Sequence, residues 1–318
     1  MLKVLYLSLG AQTGTCNAWR EVGVNLLVYD YWTVWTQSNN KDRIKTEFLT
    51  QVKNFQPNLI HMQLQFTGLI SAETLNEARR LCPGVIITNW SGDVRGIAPA
   101  EFTSIANAVD CSLISSTGQL DLYRQAGCKN VKYWQIGFDP KVAFPIKKTV
   151  FRYDVSFLGN NYGNTFPDGK LRLSAANALT TEFGNKFGLF GTGYSGGVKQ
   201  VSHNDCNNIY NDSVCALSIS NFNNVGHYFS DRLLLCLASG RPTISWYFPG
   251  CEDYFVDKQD IFIARSNQEI INIVHYCKNN PEAATQVGMN GYNKVLSEHT
   301  FLSRIIELLY MLNLNHLV

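Results

Sequence analysis

Short apolar segments alternate with longer segments of helical period along the whole chain. Short apolar runs indicate buried strands, and apolar positions at helical spacing indicate amphipathic helices. The predicted strands of the first half are Lys3–Ser8, Asn25–Tyr29, Leu59–Gln63, Val85–Trp90, Cys111–Ser115 and Val131–Ile136. The alternation restarts in the second half, with predicted strands at Asp154–Leu158, Lys186–Phe190, Val214–Ser220, Pro242–Trp246 and Ile261–Ala264. Because strands that alternate with helices are joined by crossovers, two parallel sheets covered by helices are expected.

The break between the two halves lies at residues 139–149, where prolines and polar residues interrupt both patterns. The predicted helices on either side are Ala72–Leu81, Gly118–Ala126, Lys170–Phe183, Ser230–Ser239, Asn267–Asn279 and Phe301–Leu314. We therefore predict an α/β protein with doubly wound, Rossmann-like domains at 1–145 and 146–300 and a C-terminal helix at 301–318. That helix is expected to dock on the first domain, and both domains are expected to face a central cleft.

Composition narrows the class of protein. Of the 318 residues, 45% are hydrophobic and 16% are charged, and the formal net charge of +2 predicts no strong general attraction to polyanions. The nine cysteines form no CxxC pair and no cluster of zinc-ligand spacing, which favours a reducing compartment. The first residues lack the pattern of a signal peptide, and no apolar segment is long enough for a membrane span. A soluble, cytoplasmic protein is expected.

The run Ser230-Asp231-Arg232 opens the predicted helix that ends near Gly240. Ser230 suits the position that caps a helix. A helix N-terminus presents unpaired N–H groups and partial positive charge to a phosphate, and Arg232 would add a permanent cation of bidentate geometry. The alternative is a packing helix whose Arg232 pairs with a carboxylate.

A glycine turn follows the first predicted strand of the second half and contains Gly159, Asn160 and Tyr162. A turn of this kind at a strand's carboxyl end lets backbone N–H groups approach an anion closely. Lys170 or Arg172, near the start of the next predicted helix, would supply charge. The spacing matches neither a Walker loop nor a dinucleotide fingerprint.

A second glycine turn, at 190–197, includes Gly191 and follows the next predicted strand. Its backbone atoms suit the edge of a slot for a nucleotide base. The alternative is a loop on the surface without a ligand.

Residues 228–242 resemble the C-terminal signature of group 1-type GT-B glycosyltransferases, especially the family of spore-maturation glycosyltransferase-like proteins. In that family a Ser-Asp-Arg run opens a helix that ends in Ala-Ser-Gly. The likeness continues through Pro249-Gly250, Tyr254-Phe255, the turn at Asn279-Asn280-Pro281, a helix at Gly288–Val295 and Glu298-His299-Thr300-Phe301. The resemblance implies that the second domain holds a nucleotide-sugar, with Ser230 and Arg232 on its diphosphate or ribose, and that the first domain holds the acceptor.

The resemblance also implies roles at the donor site for residues outside the Ser-Asp-Arg run. Many relatives carry two glutamates eight residues apart, and His227 and Leu235 stand at the corresponding positions. His227 would donate a hydrogen bond to the phosphates or place a positive charge beside them. The alternative is a polar loop residue without a ligand. The loop after the first strand contains Gly10 and Gly14, and in GT-B enzymes that loop lies close to the donor phosphates and the acceptor.

Asp93 follows a predicted buried strand and is the candidate catalytic base. Transfer of a sugar with inversion requires a base that takes the proton of the attacking hydroxyl. Its strand-Asp-x-Arg context is similar to that of phage DNA glucosyltransferases. The candidate acceptor-side residues are Arg95, Trp32 and Trp35. The tryptophans are included because exposed rings stack on sugars. The alternatives are an Asp93 that caps its loop or pairs with Arg95, and tryptophans that pack at the end of the second strand.

These observations predict an inverting transferase that moves a hexose from a nucleotide-sugar, preferably a UDP-sugar, to an acceptor hydroxyl. The sequence contains no Asp-x-Asp triplet, so neither a metal ion nor another cofactor is expected, and Arg232 would stabilise the leaving diphosphate. The acceptor would be a saccharide, a protein or a modified base of DNA. A non-catalytic module that binds nucleotides or sugars is the alternative from another class, and Leu235 motivates it.

Overall fold

The computed structural model describes residues 1–65, 68–195, 201–202 and 205–318. The chain divides into two compact units. The first unit comprises residues 1–136 and 301–318, and the second comprises residues 137–300.

The first unit contains a six-stranded parallel sheet of order β2-β1-β3-β4-β5-β6. Its strands are β1 (Lys3–Ser8), β2 (Asn25–Asp30), β3 (Leu59–Met62), β4 (Ile86–Ser91), β5 (Cys111–Ile114) and β6 (Val131–Tyr133). Its helices are α1 (Thr13–Glu21), α2 (Tyr31–Ser38), α3 (Lys41–Phe55), α4 (Ala72–Leu81), α5 (Ala100–Thr103), α6 (Leu120–Gln125) and, after the second unit, α12 (Phe301–Met311). Because β1 lies between β2 and β3, the strand order reverses at β1.

Alternation along β1 builds the two apolar layers of the first unit. Leu5 and Leu7 face one layer, which includes Phe48 of α3, and Val4 and Tyr6 face the other, which includes Trp19 of α1. Successive side chains of a strand point to opposite faces, so a fully apolar strand is buried on both sides.

The second unit contains a five-stranded parallel sheet of order β11-β10-β9-β7-β8. Its strands are β7 (Tyr153–Leu158), β8 (Phe187–Phe190), β9 (Ser213–Ser218), β10 (Thr243–Trp246) and β11 (Phe262–Ala264). Its helices are α7 (Gly169–Phe183), α8 (Cys206–Asn211), α9 (Asp231–Ala238), α10 (Asn267–Asn279) and α11 (Pro281–Glu298). The strand order reverses at β7, so the ends of β7 and β9 flank a switch point of the kind at which α/β sheets bind ligands.

The α/β architecture and each of the eleven predicted strands are confirmed. Trp32 and Trp35 lie on helix α2, an element not among the predicted helices; it begins directly after β2, and both tryptophans pack on the first unit's core. Asp30 begins that helix by accepting hydrogen bonds from the Thr33 N–H at 3.0 Å and the Thr33 hydroxyl at 2.6 Å. The Asp30 side chain thus stabilises a helix, although the aromatic residues that follow it favour a strand.

The division between the units lies at residue 136 and not at the expected 145. Residues 137–146 belong to the second unit, where two asparagines of α8 hold them. The Phe144 N–H donates to Oδ1 of Asn207 at 3.2 Å, and the Ile146 N–H donates to Oδ1 of Asn211 at 2.7 Å. Within the described parts of the chain, no helix combines the length and apolar character that a membrane span requires.

Candidate functional site

Arg232 bridges the carboxyl ends of the two strands at the switch point of the second unit. Its Nε donates to the carbonyl oxygen of Leu158, where β7 ends, and its Nη1 donates at 3.3 Å to the carbonyl oxygen of Ile219, just after β9. Nη1 also lies 3.3 Å from the hydroxyl of Ser230. The guanidinium is therefore fixed at the position where the sheet topology predicts a ligand.

Arg172, in the first turns of α7, brings a second guanidinium to the same place. Its side chain is buried, with 1% exposed, and Nη1 donates to Oδ1 of Asn221. Nε and Nη2 have no hydrogen-bond partner among the described residues. Buried donors without partners are uncommon in folded proteins, and here they belong to a charged group. The arrangement leaves two charged donors for an anionic ligand.

The two guanidinium groups converge on Gly159. A Cβ atom built on Gly159 would lie 2.2 Å from Nη2 of Arg172 and 2.8 Å from Nη2 of Arg232. Both groups also lie over the ring of Phe157, with Cζ 5.1 Å from the ring centroid for Arg172 and 5.6 Å for Arg232. Gly159 is required because any side chain there would occupy the space of the guanidinium groups.

Among the described residues of the second unit, no carboxylate pairs with either arginine. In the described residues neither Arg172 nor Arg232 forms a salt bridge, although twelve such bridges occur elsewhere. Burial, and then the charge of Arg232, lower the pKa of Arg172 to about 10, so the group remains protonated near neutral pH. Two like charges at short range repel each other, and the repulsion is relieved when an anion binds between them.

The two predicted glycine turns lie against each other beside the arginines. The N–H of Thr192 donates to Oδ1 of Asn160 at 2.9 Å, and the N–H of Asn161 donates to the carbonyl oxygen of Thr192 at 2.8 Å. A Cβ on Gly191 would lie 2.3 Å from the carbonyl oxygen of Gly159, so the backbones pack closely. Tyr162 is half exposed at this turn. Gly196 and Gly197, at the end of the predicted loop, lie outside the described residues.

Helix α9 differs in one respect from the expected phosphate site. Ser230 occupies the position before the helix but caps none of its N–H groups, because its hydroxyl contacts Arg232. Oδ1 of Asp231 accepts the N–H of Arg232 at 2.8 Å, and Asp231 is exposed. The cationic character of the site therefore comes from the two arginine side chains more than from the helix terminus.

His227 lies in the turn before α9, where it pairs with a carboxylate. Its Nε2 lies 2.6 Å from Oδ2 of Asp253, and its ring packs on Gly250, where a Cβ would lie 2.5 Å from Nε2. His227 has a φ of 56°, a conformation unfavourable for residues other than glycine. Leu235 is buried within α9, so that position offers no polar contact to a ligand.

The predicted residues of the first unit lie at the carboxyl edge of its sheet. Asp93 follows β4 with an exposed side chain, and its Oδ2 lies 3.4 Å from Nη2 of Arg95. Gly10 follows β1 with a φ of 83°, and its N–H donates to Asp30; Gly14 is in the first turn of α1. Trp32 and Trp35 are half-buried and pack on the apolar layer that contains Phe48.

The structure also shows polar residues that the sequence patterns do not single out. Asn221 and Asn223 follow β9, and Asp168 precedes α7, and together they form the hydrogen bonds around Arg172. The available signal is the asparagine-rich run at 221–224 after a predicted strand. Asparagine is common in turns, so composition alone does not distinguish these residues from an ordinary loop.

The sequence was compared with models of known protein families and with curated proteins. Residues 171–310 match the family model described as glycosyl transferase-like. No curated protein matches the chain.

The structure is similar to that of Alr3699/HepE from Anabaena in complex with UDP, at 11% identity and a TM-score of 0.62 over 98% of this chain and 100% of that one. A glycosyltransferase from Rickettsia africae is similar at 13% identity and a TM-score of 0.65, over 98% and 97% of the two chains. Sucrose-phosphate synthase from Thermosynechococcus elongatus is similar at 12% identity and a TM-score of 0.58, over 98% of each chain. The chain therefore has the GT-B fold, and its residues 171–310 match a glycosyl transferase-like family.

Proposed function

We propose that this protein is a glycosyltransferase that transfers a sugar from a nucleotide-sugar to an acceptor hydroxyl. The observation that carries the proposal is the convergence of Arg172 and Arg232 on Gly159 without a salt-bridge partner for either among the described residues. A diphosphate offers several oxygens and at least two negative charges, which match two guanidinium groups. The match of residues 171–310 to a glycosyl transferase-like family supports the same conclusion.

A UDP-sugar is the proposed donor. The similar Alr3699/HepE was crystallised with UDP and, separately, with UDP-glucose. The turn that contains Gly191 packs directly against the Gly159 turn, so a nucleotide whose diphosphate contacts the arginines would have its base within reach of that backbone.

The arginine pair also supports a reaction that needs no metal ion. When the glycosidic bond to the donor breaks, negative charge develops on the departing diphosphate. Arg172 and Arg232 present fixed donors at that point, and Arg172 is shielded from water. Preorganised donors in a shielded site stabilise developing charge effectively. We therefore assign to these side chains the role that a divalent cation has in other transferases.

Asp93 is the proposed base of an inverting reaction. It lies at the carboxyl edge of the first unit's sheet with an exposed side chain, as a group that receives a proton from an acceptor requires. Trp32, Trp35 and Arg95 are proposed to contact the acceptor. The formal net charge of +2 favours a saccharide or protein hydroxyl over DNA, since DNA binding depends on many cationic contacts.

Thermal shift with UDP-, GDP-, ADP- and TDP-sugars, in the presence of EDTA, tests the donor site. We expect a UDP-sugar at about 100 times its Kd to stabilise the wild type by about 2.7 kcal/mol. Arg232→Ala should abolish the effect, and the control Arg265→Ala, at an exposed arginine of the same unit, should keep it. Absence of stabilisation by every nucleotide would contradict the proposal.

The same preparation tests the catalytic role of Asp93. Asp93→Asn should retain the stabilisation by the nucleotide-sugar and lose about 10²-fold or more in the rate of nucleotide release with an acceptor panel. If the wild type binds the donor but releases no nucleotide with any acceptor, the protein is a binding module and not a transferase.

A further inference from the structure

Asn221 supplies a neutral partner to a buried cation. Its Oδ1 accepts a hydrogen bond from Nη1 of Arg172, at a position where a carboxylate would form a salt bridge. We infer that Asn221 is a positioning residue that orients Arg172 and leaves its positive charge available to the diphosphate. The inference rests on the proposed function, because it concerns the same anion site.

The first step is geometric. The guanidinium is planar, so a bond that holds Nη1 also sets the directions of Nε and Nη2. With Nη1 on Asn221, Nη2 lies beside Gly159, and the side chain of Arg172 is 1% exposed. Nε and Nη2 form no hydrogen bond with the described residues, although the Tyr194 hydroxyl is near enough to raise the pKa of Arg172, and they are the donors left for a ligand.

The second step concerns charge. A carboxylate at position 221 would accept the same hydrogen bond and would also neutralise Arg172. Charge-assisted pairs are stronger than neutral hydrogen bonds, and their attraction grows with burial. The site would then hold one net positive charge in place of two, and the added negative charge would repel a diphosphate. An amide provides the orientation without this loss.

The third step concerns Asp168, whose carbonyl oxygen accepts the N–H of Arg172 at 3.0 Å but whose carboxylate bonds Asn223. Oδ2 of Asp168 accepts the N–H of Asn223 at 2.6 Å and Nδ2 of Asn223 at 3.1 Å. The Asp168 N–H donates to the carbonyl oxygen of Asn221 at 3.3 Å. Asn223 is buried and also bonds both backbone groups of Ser220. The carboxylate therefore fixes the loop that carries Asn221 and forms no salt bridge with the arginine.

The test compares Asn221→Asp, Asn221→Ala and the wild type by melting temperature without ligand and by calorimetric titration with UDP. Asn221→Asp should raise the melting temperature, because it pairs Arg172 and relieves the repulsion from Arg232. The same variant should bind UDP about 100-fold more weakly. Asn221→Ala should lower both stability and affinity, because Nη1 loses its partner. These opposite shifts in Asn221→Asp would not arise from a merely structural residue.

Asn224→Asp is the matched control, since Asn224 is exposed in the same loop. It should bind UDP as the wild type does, because a charge exposed to water is screened. Wild-type affinity in Asn221→Asp would overturn the inference while the proposed function stands. If the wild type binds neither pyrophosphate nor any of UDP, GDP, ADP and TDP, the proposed function fails. In that case the melting temperature of unliganded Asn221→Asp alone tests whether Asn221 orients Arg172 without neutralising it. A melting temperature equal to or below that of the wild type would overturn the inference.

Discussion

Gly159, in the turn after β7, determines how closely the two guanidinium groups of the proposed anion site approach the backbone. Because a Cβ there would lie 2.2 Å from Nη2 of Arg172, Gly159→Ala must displace at least one arginine. We expect UDP affinity to fall about 10- to 100-fold, with a stability cost of about 1–3 kcal/mol from overpacking. Titration with UDP and chemical denaturation measure the two effects.

Gly163→Asn is the control in the same turn. Gly163 has a φ of 59°, and a Cβ added there would have no neighbouring atom within 4 Å. Asparagine tolerates the left-handed conformation better than other residues with side chains. UDP affinity should therefore stay close to that of the wild type. An equal loss in both variants would show that the turn's flexibility matters, and not the space beside the arginines.

Single residues were predictable from the sequence where a local pattern marks them. Gly159 follows an apolar run, and Arg232 follows Ser230, a residue type typical of helix starts, so both could be selected from the sequence alone. Asn221 has no such pattern, because its importance depends on Arg172, 49 positions away. His227 likewise meets Asp253 only through the fold, at a sequence separation of 26. The roles of all these residues in donor binding remain predictions.

At the scale of elements, α11 packs through glycines. A Cβ on Gly288 would lie 2.4 Å from the carbonyl oxygen of Gly240, and a Cβ on Gly291 would lie 2.3 Å from that of Asp260. Glycine inside a helix normally costs about 0.5–1 kcal/mol relative to alanine. The close backbone approach that it permits must therefore be worth more than this cost.

Gly288→Ala should reverse the usual effect of this substitution. Alanine favours the helix, but its Cβ would push α11 away from the turn at Gly240, so we expect destabilisation of about 1–3 kcal/mol. Ser297→Ala, at an exposed position of the same helix, should be neutral or slightly stabilising. Urea denaturation of both variants measures the difference. A more stable Gly288→Ala would contradict the close packing.

Most elements could be predicted because parallel strands buried on both faces appear as apolar runs. Helix α2 could not be predicted, because its first residues, Tyr31-Trp32-Thr33-Val34-Trp35, are of types that favour strands. The carboxylate of Asp30 stabilises the helix instead, because it accepts hydrogen bonds from Thr33 in the first turn. Similarly, α11 extends over Pro281–Glu298, beyond the expected helix at 288–295, because the proline is favourable in the first turn.

At the scale of the whole molecule, the chain leaves the first unit after residue 136 and returns to it at residue 301. Helix α12 completes the apolar layer that contains Trp19 and Trp134, and Nε1 of Trp134 donates to the carbonyl oxygen of Arg304 at 2.8 Å. Helix α12 and Leu314 are thus part of the core of the first unit, although they follow the second unit in sequence. The amphipathic period of 301–314 predicted a docked helix, but only the fold shows which residues it covers.

Leu308→Ala tests whether α12 is integral to the first unit. Leu308 has no exposed surface and packs in the layer with Trp19, so its truncation should cost about 2–5 kcal/mol in the free energy of unfolding. Ile306→Ala, two positions earlier and 41% exposed, should cost much less because little apolar area is lost. Tryptophan fluorescence during urea denaturation reports on the first unit, where Trp19, Trp90 and Trp134 are buried in that layer. Equal and small losses in both variants would mean that α12 only lies on the surface. A large loss in Leu308→Ala alone would mean that the first unit cannot complete its core until residues beyond the second unit have been added.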